Sequence, residues 1–335
     1  MDEIYRIGLE IVRQVQSIGP AFDTPMQIFT MLGQSNFYFA FLSLIFWCVS
    51  PEVGTSLALL LFASSYFNGL FKGIFQGPRP YWLDASLLKG SPSDSFGFPS
   101  GHAQAVTAMW GYVALRLRHW WGWAAALFMI VMVSLSRVYL GKHFPTDVLA
   151  GALVGAVLIA VYVAVQPRGH AWLANRGLGA QLGWVIVAAA VALLGQTLIV
   201  GSHQAGYDLS LYLSGLGEAK ENMITMSGAL VGAGVGLVLE RRYVRFSVSG
   251  SLWQRLARAV IGMGGVWMLF FQSESFLPSE PLALFLVMNF VRYAVTTFWV
   301  TFLWPWIFVR LKWATRRDRA DQDEYVVRRT SPTSA

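Results

Sequence analysis

Apolar side chains arrive along this chain in long runs, not in alternation. From near Met26 to Arg310, segments of roughly 17 to 25 mostly apolar residues recur, which is the length a helix needs to cross a bilayer. The pattern predicts nine spans, near 26–49, 54–72, 102–118, 120–139, 147–166, 181–200, 222–240, 257–273 and 281–310. The expected fold class is therefore all-α, a polytopic transmembrane helical bundle. Ahead of the first run, Ile4, Ile7, Ile11, Val12 and Val15 recur at helical spacing, which predicts an amphipathic helix lying on the membrane. The same stretch lacks the order of charged, apolar and small residues that marks a cleavable signal peptide. Four regions follow: 1–25 as an interfacial segment, 26–166 as a core, 167–311 as an additional membrane module, and 312–335 as a polar cytoplasmic tail whose charge and Ser/Thr content predict disorder.

Charge decides the orientation. With the amino terminus outside, the connections that fall inside carry Arg116, Arg118, Arg168, Arg176, Arg241, Arg242, Arg245, Arg255 and Arg258, and Lys312, Arg316, Arg317 and Arg319 follow the last span. That is a positive-inside bias, and a solvated face explains these arginines without a further role. The net charge of +7 thus reports topology, and nucleic-acid binding is excluded for want of a soluble basic domain. The single cysteine, Cys48, lies inside the first run and reads as a small buried apolar residue, so neither a disulfide framework nor a thiol metal site is expected.

Three polar segments fall on the side opposite the arginines: KGIFQGPRP from Lys72 to Pro80, PSGH from Pro99 to His102, and SRVYLGKHFPTD from Ser136 to Asp147. Each has an ordinary explanation. Lys72 and Arg79 suit snorkelling at a helix end. Ser100 suits a helix N-cap, His102 a satisfied polar residue in a bundle, and Arg137 an interface anchor. His143, Pro145 and Asp147 suit a helix start. None of these explains why all three segments share one side.

Together they suit a phosphate. A phosphoryl group in transfer spreads negative charge over its oxygens, and Lys72, Arg79 and Arg137 supply cationic donors. With Ser100 as cap, the free N–H groups near Gly101 and His102 point outward at the positive end of a helix, where glycine permits close approach. His102 stands at the rim, placed to give a proton to a leaving oxygen. Four residues separate His143 from Asp147, so the carboxylate can hold one ring nitrogen and leave the other to attack phosphorus. The expectation is a phosphohistidine at His143, hydrolysed by water with His102 as base. No cofactor and no metal are required: the nearby carboxylates Asp84 and Asp94 lack the spacing of a two-metal clamp.

The order Lys, six residues, Arg-Pro; Pro-Ser-Gly-His; Ser-Arg, five residues, His, three residues, Asp resembles the signature of the type-2 phosphatidic acid phosphatase superfamily. That resemblance covers about residues 20 to 166 and leaves spans six to nine outside. It implies phosphate binding by Lys72, Arg79, Ser100, Gly101 and Arg137, with His102 as general acid, His143 as nucleophile and Asp147 as its partner. The surrounding text, MLGQSNFYF, LIFWCVSPEVG and YFNGLFKGIFQGPRP, looks most like the branch with sphingosine-1-phosphate phosphatases and bacterial relatives. It implies residence in a bacterial inner membrane, with the site on the extracytoplasmic side and the carboxyl terminus in the cytoplasm.

The expected activity is therefore metal-independent hydrolysis of a lipid phosphomonoester or diphosphate, with the bilayer and a membrane lipid phosphate as partners. The alternatives are a lipid phosphotransferase using the same site and a lipid-binding or transport protein. Trp82, Leu83, Leu87 and Leu88 are candidates to line the lipid approach, or to anchor the interface. His203, Tyr207, Asp208, Glu218 and Glu221 are expected in an outer loop. Gly228, Gly232 and Gly236 mark a close-packed helix face. Arg292, deep in the ninth span, is expected to face the bundle interior beside Asn289.

Overall fold

The apolar runs become helices whose ends are set by Pro, Gly and polar residues. The computed structural model describes residues 3–199, 209–278 and 280–317. The main helices are α1 (Glu3–Gln16), α2 (Asp23–Met31), α3 (Ser35–Cys48), α4 (Pro51–Phe75), the single turn α5 (Pro80–Leu83), α6 (Gly101–Leu117), α7 (Trp120–Tyr139), α8 (Pro145–Ala174), α9 (Leu178–Gly195), α10 (Leu209–Leu239), α11 (Leu252–Val266), α12 (Leu282–Phe298) and α13 (Trp304–Arg310). Short π-helical turns extend α10 to Val244 and join α12 to α13.

Seven stretches are long and apolar enough to cross a membrane: Pro51–Leu83, Trp120–Tyr139, Pro145–Ala174, Leu178–Gly195, Leu209–Val244, Leu252–Phe276 and Leu282–Arg310. The remaining two sequence runs are helical but shorter. The first is divided at Leu32–Gln34 into α2 and α3, and the third is α6, of 17 residues. The protein is an integral membrane protein with an all-helical architecture among the described residues.

The chain divides into two compact units. The first comprises Met1–Phe39, Ser56–Tyr162 and Val191–Met226. Here α6 and α7 pack along one another, with α2 and α1 laid against α7. Leu9 and Val12 of α1 join Leu87, Val138, Phe144 and Val148 in one apolar cluster. Arg13 pairs with Asp84 at 2.6 Å, and the Gln16 amide donates to the carbonyls of Leu87 (2.7 Å) and Tyr139 (2.9 Å). Leu87 is therefore buried under α1, and the partly buried Leu83 packs against the same cluster. Glu218 and Glu221 lie on α10, correcting the loop expectation, because the helix begins at Leu209. His203, Tyr207, Asp208 and the tail from Asp318 lie outside the described residues.

The second unit comprises Ala40–Thr55, Val163–Ala190 and Ser227–Ala335. A methyl group on Gly228, Gly232 or Gly236 would press on the Phe290 backbone, the Ala294 carbonyl or Thr301. The three glycines thus admit α12 and the turn after it, within this one chain. Arg292 is partly buried: it pairs with the exposed Glu274 at 3.1 Å, donates to the Asn289 amide oxygen at 3.2 Å, beside which it was expected, and lies over the Phe270 ring. Arg258 departs from the solvated reading. It is fully buried, donates to the Ser249 carbonyl at 3.0 Å and lies over Phe308, because the Val248–Ser251 turn folds back over it. Cys48 is half-buried, with its thiol 3.5 Å from the Arg255 carbonyl.

Candidate active site

All eight residues singled out from the sequence lie in the first unit, held by four helix ends. Lys72 occupies the last turn of α4. The chain leaves that helix through Gln76, whose positive φ of 50° caps the end, and Pro78 and Pro80 lack the N–H groups that would continue it. Arg79 sits between them. The 93–98 segment then folds back, its Gly97 N–H donating to the Gly77 carbonyl at 2.8 Å.

This return brings in a residue that motif reasoning missed. The Ser95 hydroxyl accepts from Lys72 Nζ at 2.7 Å and from Arg79 Nη2 at 2.7 Å, and the Ser95 carbonyl accepts from Arg79 Nε at 2.6 Å. Arg79 is completed by the Ser93 hydroxyl at 3.1 Å and by the Lys142 carbonyl at 2.8 Å. Ser93 is in turn fixed by the Tyr81 hydroxyl. The guanidinium therefore ties the first motif to the third.

Ser100 stands at the N-cap position of α6 in extended conformation, yet its hydroxyl makes no capping bond. Its N–H donates to the Asp147 carbonyl at 2.9 Å, which joins the second motif to the third. The first N–H groups of α6 remain without helical acceptors, as at any helix start. Gly101 is needed for packing as well as for approach: a Cβ there would lie 2.8 Å from the Asn68 side-chain oxygen. Asn68 itself donates to the Pro99 carbonyl at 3.1 Å and to Gln104 at 3.2 Å, and Gln104 to the Ser64 carbonyl at 2.7 Å. This buried amide pair pins α6 to α4. No sequence signal marked it beyond two amides in otherwise apolar helices. Gly151 of α8 abuts the Ser100 carbonyl, so only a residue without Cβ lets α8 meet the start of α6.

Arg137 ends α7. It donates to the Thr30 hydroxyl of α2 at 2.5 Å, and its carbonyl accepts the N–H groups of Lys142 (3.0 Å) and His143 (3.3 Å), curling the loop over the helix end. His143 lies fully buried at that loop's tip. Its Nδ1 is 3.4 Å from Asp147 Oδ2 and its Nε2 is 3.4 Å from Arg79 Nη1. The Asp147 contact is a close approach without a hydrogen bond, and Oδ2 accepts the Phe144 N–H at 2.9 Å. Arg79 offers only N–H, so Nε2 is the acceptor and the proton belongs on Nδ1, an assignment from chemistry. Burial, reinforced by the charges of Arg79 and Arg137, holds the His143 pKa well below the usual histidine range.

Lys72, Arg79 and Arg137 are each at most 7% exposed, so three cations are buried together. Asp147 and, from α10, Glu218 supply the opposing charge that acts on Lys72 and Arg79. Around them Ser100 Oγ, His102 Nε2, Arg137 Nε and His143 Nδ1 are buried polar atoms with no hydrogen-bond partner among the described residues. Native interiors satisfy nearly all such atoms, so four of them from two separate segments indicate a ligand. Among the described residues no group of three or more His, Cys, Asp or Glu side chains is placed to hold a metal ion.

With this geometry established, the relatives can be set beside it. Residues 53–171 match the family described as PAP2 superfamily, and residues 224–316 match the one described as PAP2 superfamily phosphatase, transmembrane extension. Between them these cover well over half of the chain, which belongs to the PAP2 superfamily of phosphatases. The chain is similar to sphingosine-1-phosphate phosphatase 2 of Mus musculus, 33% identical over 136 residues, covering 39% of this chain and 38% of that protein. It is similar to undecaprenyl-diphosphatase of Sulfolobus acidocaldarius, 32% identical over 121 residues, covering 35% of this chain and 57% of that protein. The similarity to glucose-6-phosphatase 3 of Mus musculus is lower, 25% over 349 residues, but reaches 92% of this chain and 96% of the relative. The chain thus spans little more than a third of the sphingosine-1-phosphate phosphatase it matches. No solved structure matches it.

Proposed function

We propose that the protein is an integral-membrane lipid phosphate phosphatase that works through a phosphohistidine at His143. The observation that carries this is that three buried cations, the buried His143, and the unsatisfied Ser100 Oγ and His102 Nε2 are brought in by the same three motifs. A neutral ligand would leave that positive charge uncompensated in a low-dielectric site, whereas a phosphate dianion offsets it.

The steps follow from the atoms in place. Lys72, Arg79 and Arg137 hold the equatorial oxygens, with Ser100 Oγ and the N–H groups opening α6 completing the cradle. His143 is neutral and bears a lone pair on Nε2, so it attacks phosphorus there, while Asp147 faces the Nδ1 side and stabilises the positive charge that grows on the ring. The bond to the leaving oxygen breaks, and its electron pair takes the proton of His102. His102, now a base, activates water to hydrolyse the phosphohistidine. These roles for Lys72, Arg79, Ser100, Gly101, Arg137, His102, His143 and Asp147, and the metal independence of the scheme, are part of the proposal.

We assign nine crossings, with the site outside and the carboxyl terminus inside. Helix α6 runs back along α7 from the same end, and its 17 residues give it a length of about 25 Å, close to the hydrocarbon thickness. The arginines then collect on the far side, which the positive-inside rule makes cytoplasmic, as in a bacterial inner membrane. The regions 26–166 and 167–311 are read as the catalytic core and the added membrane module. The full-length likeness to glucose-6-phosphatase 3 supports a second reading, a soluble sugar phosphate as substrate. Phosphate release by the purified protein in detergent, with lipid monoesters, lipid diphosphates and glucose 6-phosphate and in the presence of a chelator, separates the two. Turnover confined to lipid phosphates is expected. Turnover of the sugar phosphate alone overturns the lipid assignment, and loss with chelator restored by a divalent cation overturns the metal-free scheme.

A further inference from the structure

The break between α2 and α3 meets two residues of the candidate site. Helix α2 is fastened along α7 on its way there: Met26 packs with Tyr139 and Leu140, and the Phe29 ring stands edge-on to Phe128 at 5.8 Å. Near the end of α2 the Thr30 hydroxyl accepts from Arg137 Nη1 at 2.5 Å. The chain then leaves the helix in a tight turn, with the Gly33 N–H donating to the Thr30 carbonyl and the Gln34 N–H to the Met31 carbonyl, each at 3.1 Å.

At Gly33 the turn reaches His102. A methyl group on Gly33 would lie 2.9 Å from His102 Cδ2, 3.4 Å from His102 Cβ and 2.7 Å from Val133 Cγ1 of α7. Ordinary contact between carbons is about 3.5–4.0 Å, so no side chain fits between the break and the imidazole. The turn itself does not demand glycine: Gly33 is not among the glycines with positive φ, and its backbone conformation suits other residues. What excludes a side chain is the space, and the neighbour that defines it is a ring of the site. Cδ2 is bonded to Nε2, the His102 nitrogen that is buried without a hydrogen-bond partner among the described residues. Glycine brings no side chain to displace that nitrogen or to compete for its hydrogen bond.

We propose that the α2–α3 break is a positioning element of the site, in which Gly33 sets where the His102 ring stands and Thr30 sets where the Arg137 guanidinium stands. This rests on the phosphatase reading above and deepens it. As His143 Nε2 bonds to phosphorus, the bond from phosphorus to the leaving oxygen breaks, and the electron pair on that oxygen takes the His102 proton. Proton transfer needs a heavy-atom separation of about 2.6–3.2 Å, so a displaced ring slows the departure of an alcohol. A nitrophenolate leaves without a proton and is less sensitive to where the ring stands. Arg137 holds the phosphoryl oxygens themselves, so its displacement affects all leaving groups alike.

The experiment measures release of the leaving group in the first turnover, with the full chain in detergent, from an alkyl phosphate and a nitrophenyl phosphate. The variants are Gly33→Ala, Thr30→Val, His102→Ala, His143→Ala, Val133→Ala and the double variant Gly33→Ala/Val133→Ala. Gly33→Ala should lower the alkyl rate about tenfold more than the nitrophenyl rate, the same signature as His102→Ala. In the Val133→Ala background the methyl at 2.7 Å is gone and only the approach to His102 is left, so adding Gly33→Ala there should reproduce the leaving-group dependence. Thr30→Val should lower kcat/KM for both substrates by the same factor. Equal losses on the two substrates from Gly33→Ala in the Val133→Ala background, no loss at all, or failure to fold in both backgrounds makes Gly33 a packing residue and overturns its part of the proposal. Unchanged kinetics in Thr30→Val overturn the part resting on Arg137. Equal losses in His102→Ala overturn the acid role of that residue, and release that persists in His143→Ala overturns the phosphatase reading itself.

Discussion

Replacing Asp147 by Asn tests how the carboxylate serves His143, because the change removes a charge and little else. The Asn carbonyl can still accept the Phe144 N–H that Oδ2 accepts at 2.9 Å, so the first turn of α8 should stay in place. What disappears is a negative charge 3.4 Å from Nδ1 of a ring that becomes cationic as it attacks phosphorus. Two unit charges at that separation interact by about 5 kcal/mol at an effective dielectric constant near 20, and by about 1 kcal/mol in water. The site is buried, so the loss should lie toward the larger value, a fall in kcat/KM of roughly a hundredfold to a few thousandfold. The carbonyl oxygen that accepts the Phe144 N–H also faces Nδ1, so the tautomer of His143 is kept and only the charge is lost. This acts on the chemical step, so kcat should carry the loss and KM should move little. The assay is steady-state phosphate release beside single-turnover quench, with thermal unfolding as the check on folding. A folded Asp147→Asn enzyme within threefold of wild-type kcat/KM would refute the charge-stabilising role.

Ser95→Ala removes the hydroxyl shared by Lys72 and Arg79; hydrogen bonds to charged groups are worth about 1.5–3 kcal/mol each, so activity should fall at least tenfold in phosphate-release assays and thermal stability should drop with it. Unchanged activity and melting temperature would show that the cations hold their places unaided. Because His143 is held neutral well below the usual histidine range near 6.5, turnover of an aryl phosphate with a good leaving group should stay flat as pH falls from 7.5 through 6.5 and decline only below that. A midpoint at 6.5 that tracks His143 would contradict its burial among cations. Ser91→Cys in a Cys48→Ala background places one thiol in the exposed part of the loop before the second motif, and an impermeant reagent should label it in intact cells. Labelling only after permeabilisation would invert the topology.

The parts of this molecule that were legible in the sequence are those written in one dimension. Helix α7 fills the predicted 120–139 span because an unbroken apolar run has one solution in lipid. The neighbourhood of Arg292 and Asn289 followed from their spacing of one helical turn. The break that divides the first run at Leu32–Gln34 was not visible, since Gly33 and Gln34 sit in a run whose average stays apolar. The eight motif residues converge because chemistry dictates their types. Their supports escaped notice because they depend on a three-dimensional return of the chain. Ser95 reaches Lys72 and Arg79 only after the 93–98 segment folds back, and Thr30 meets Arg137 across 107 residues of sequence. Leu87 was a candidate for the lipid approach or for interface anchoring because burial under α1 leaves no mark on local hydropathy. Arg258 read as solvated because nothing in its neighbourhood of the sequence announces the turn that encloses it.

The central claim is a phosphoryl group on His143, and rapid acid-free quench during turnover of a substrate labelled in its terminal phosphate tests it most directly. Wild-type protein should carry base-stable, acid-labile label that peptide mass spectrometry places on His143. His102→Ala should keep that label longer, since it lacks the base that activates water, and His143→Ala should carry none. A turnover burst without protein-bound label, or label of equal amount in His143→Ala, would contradict the mechanism.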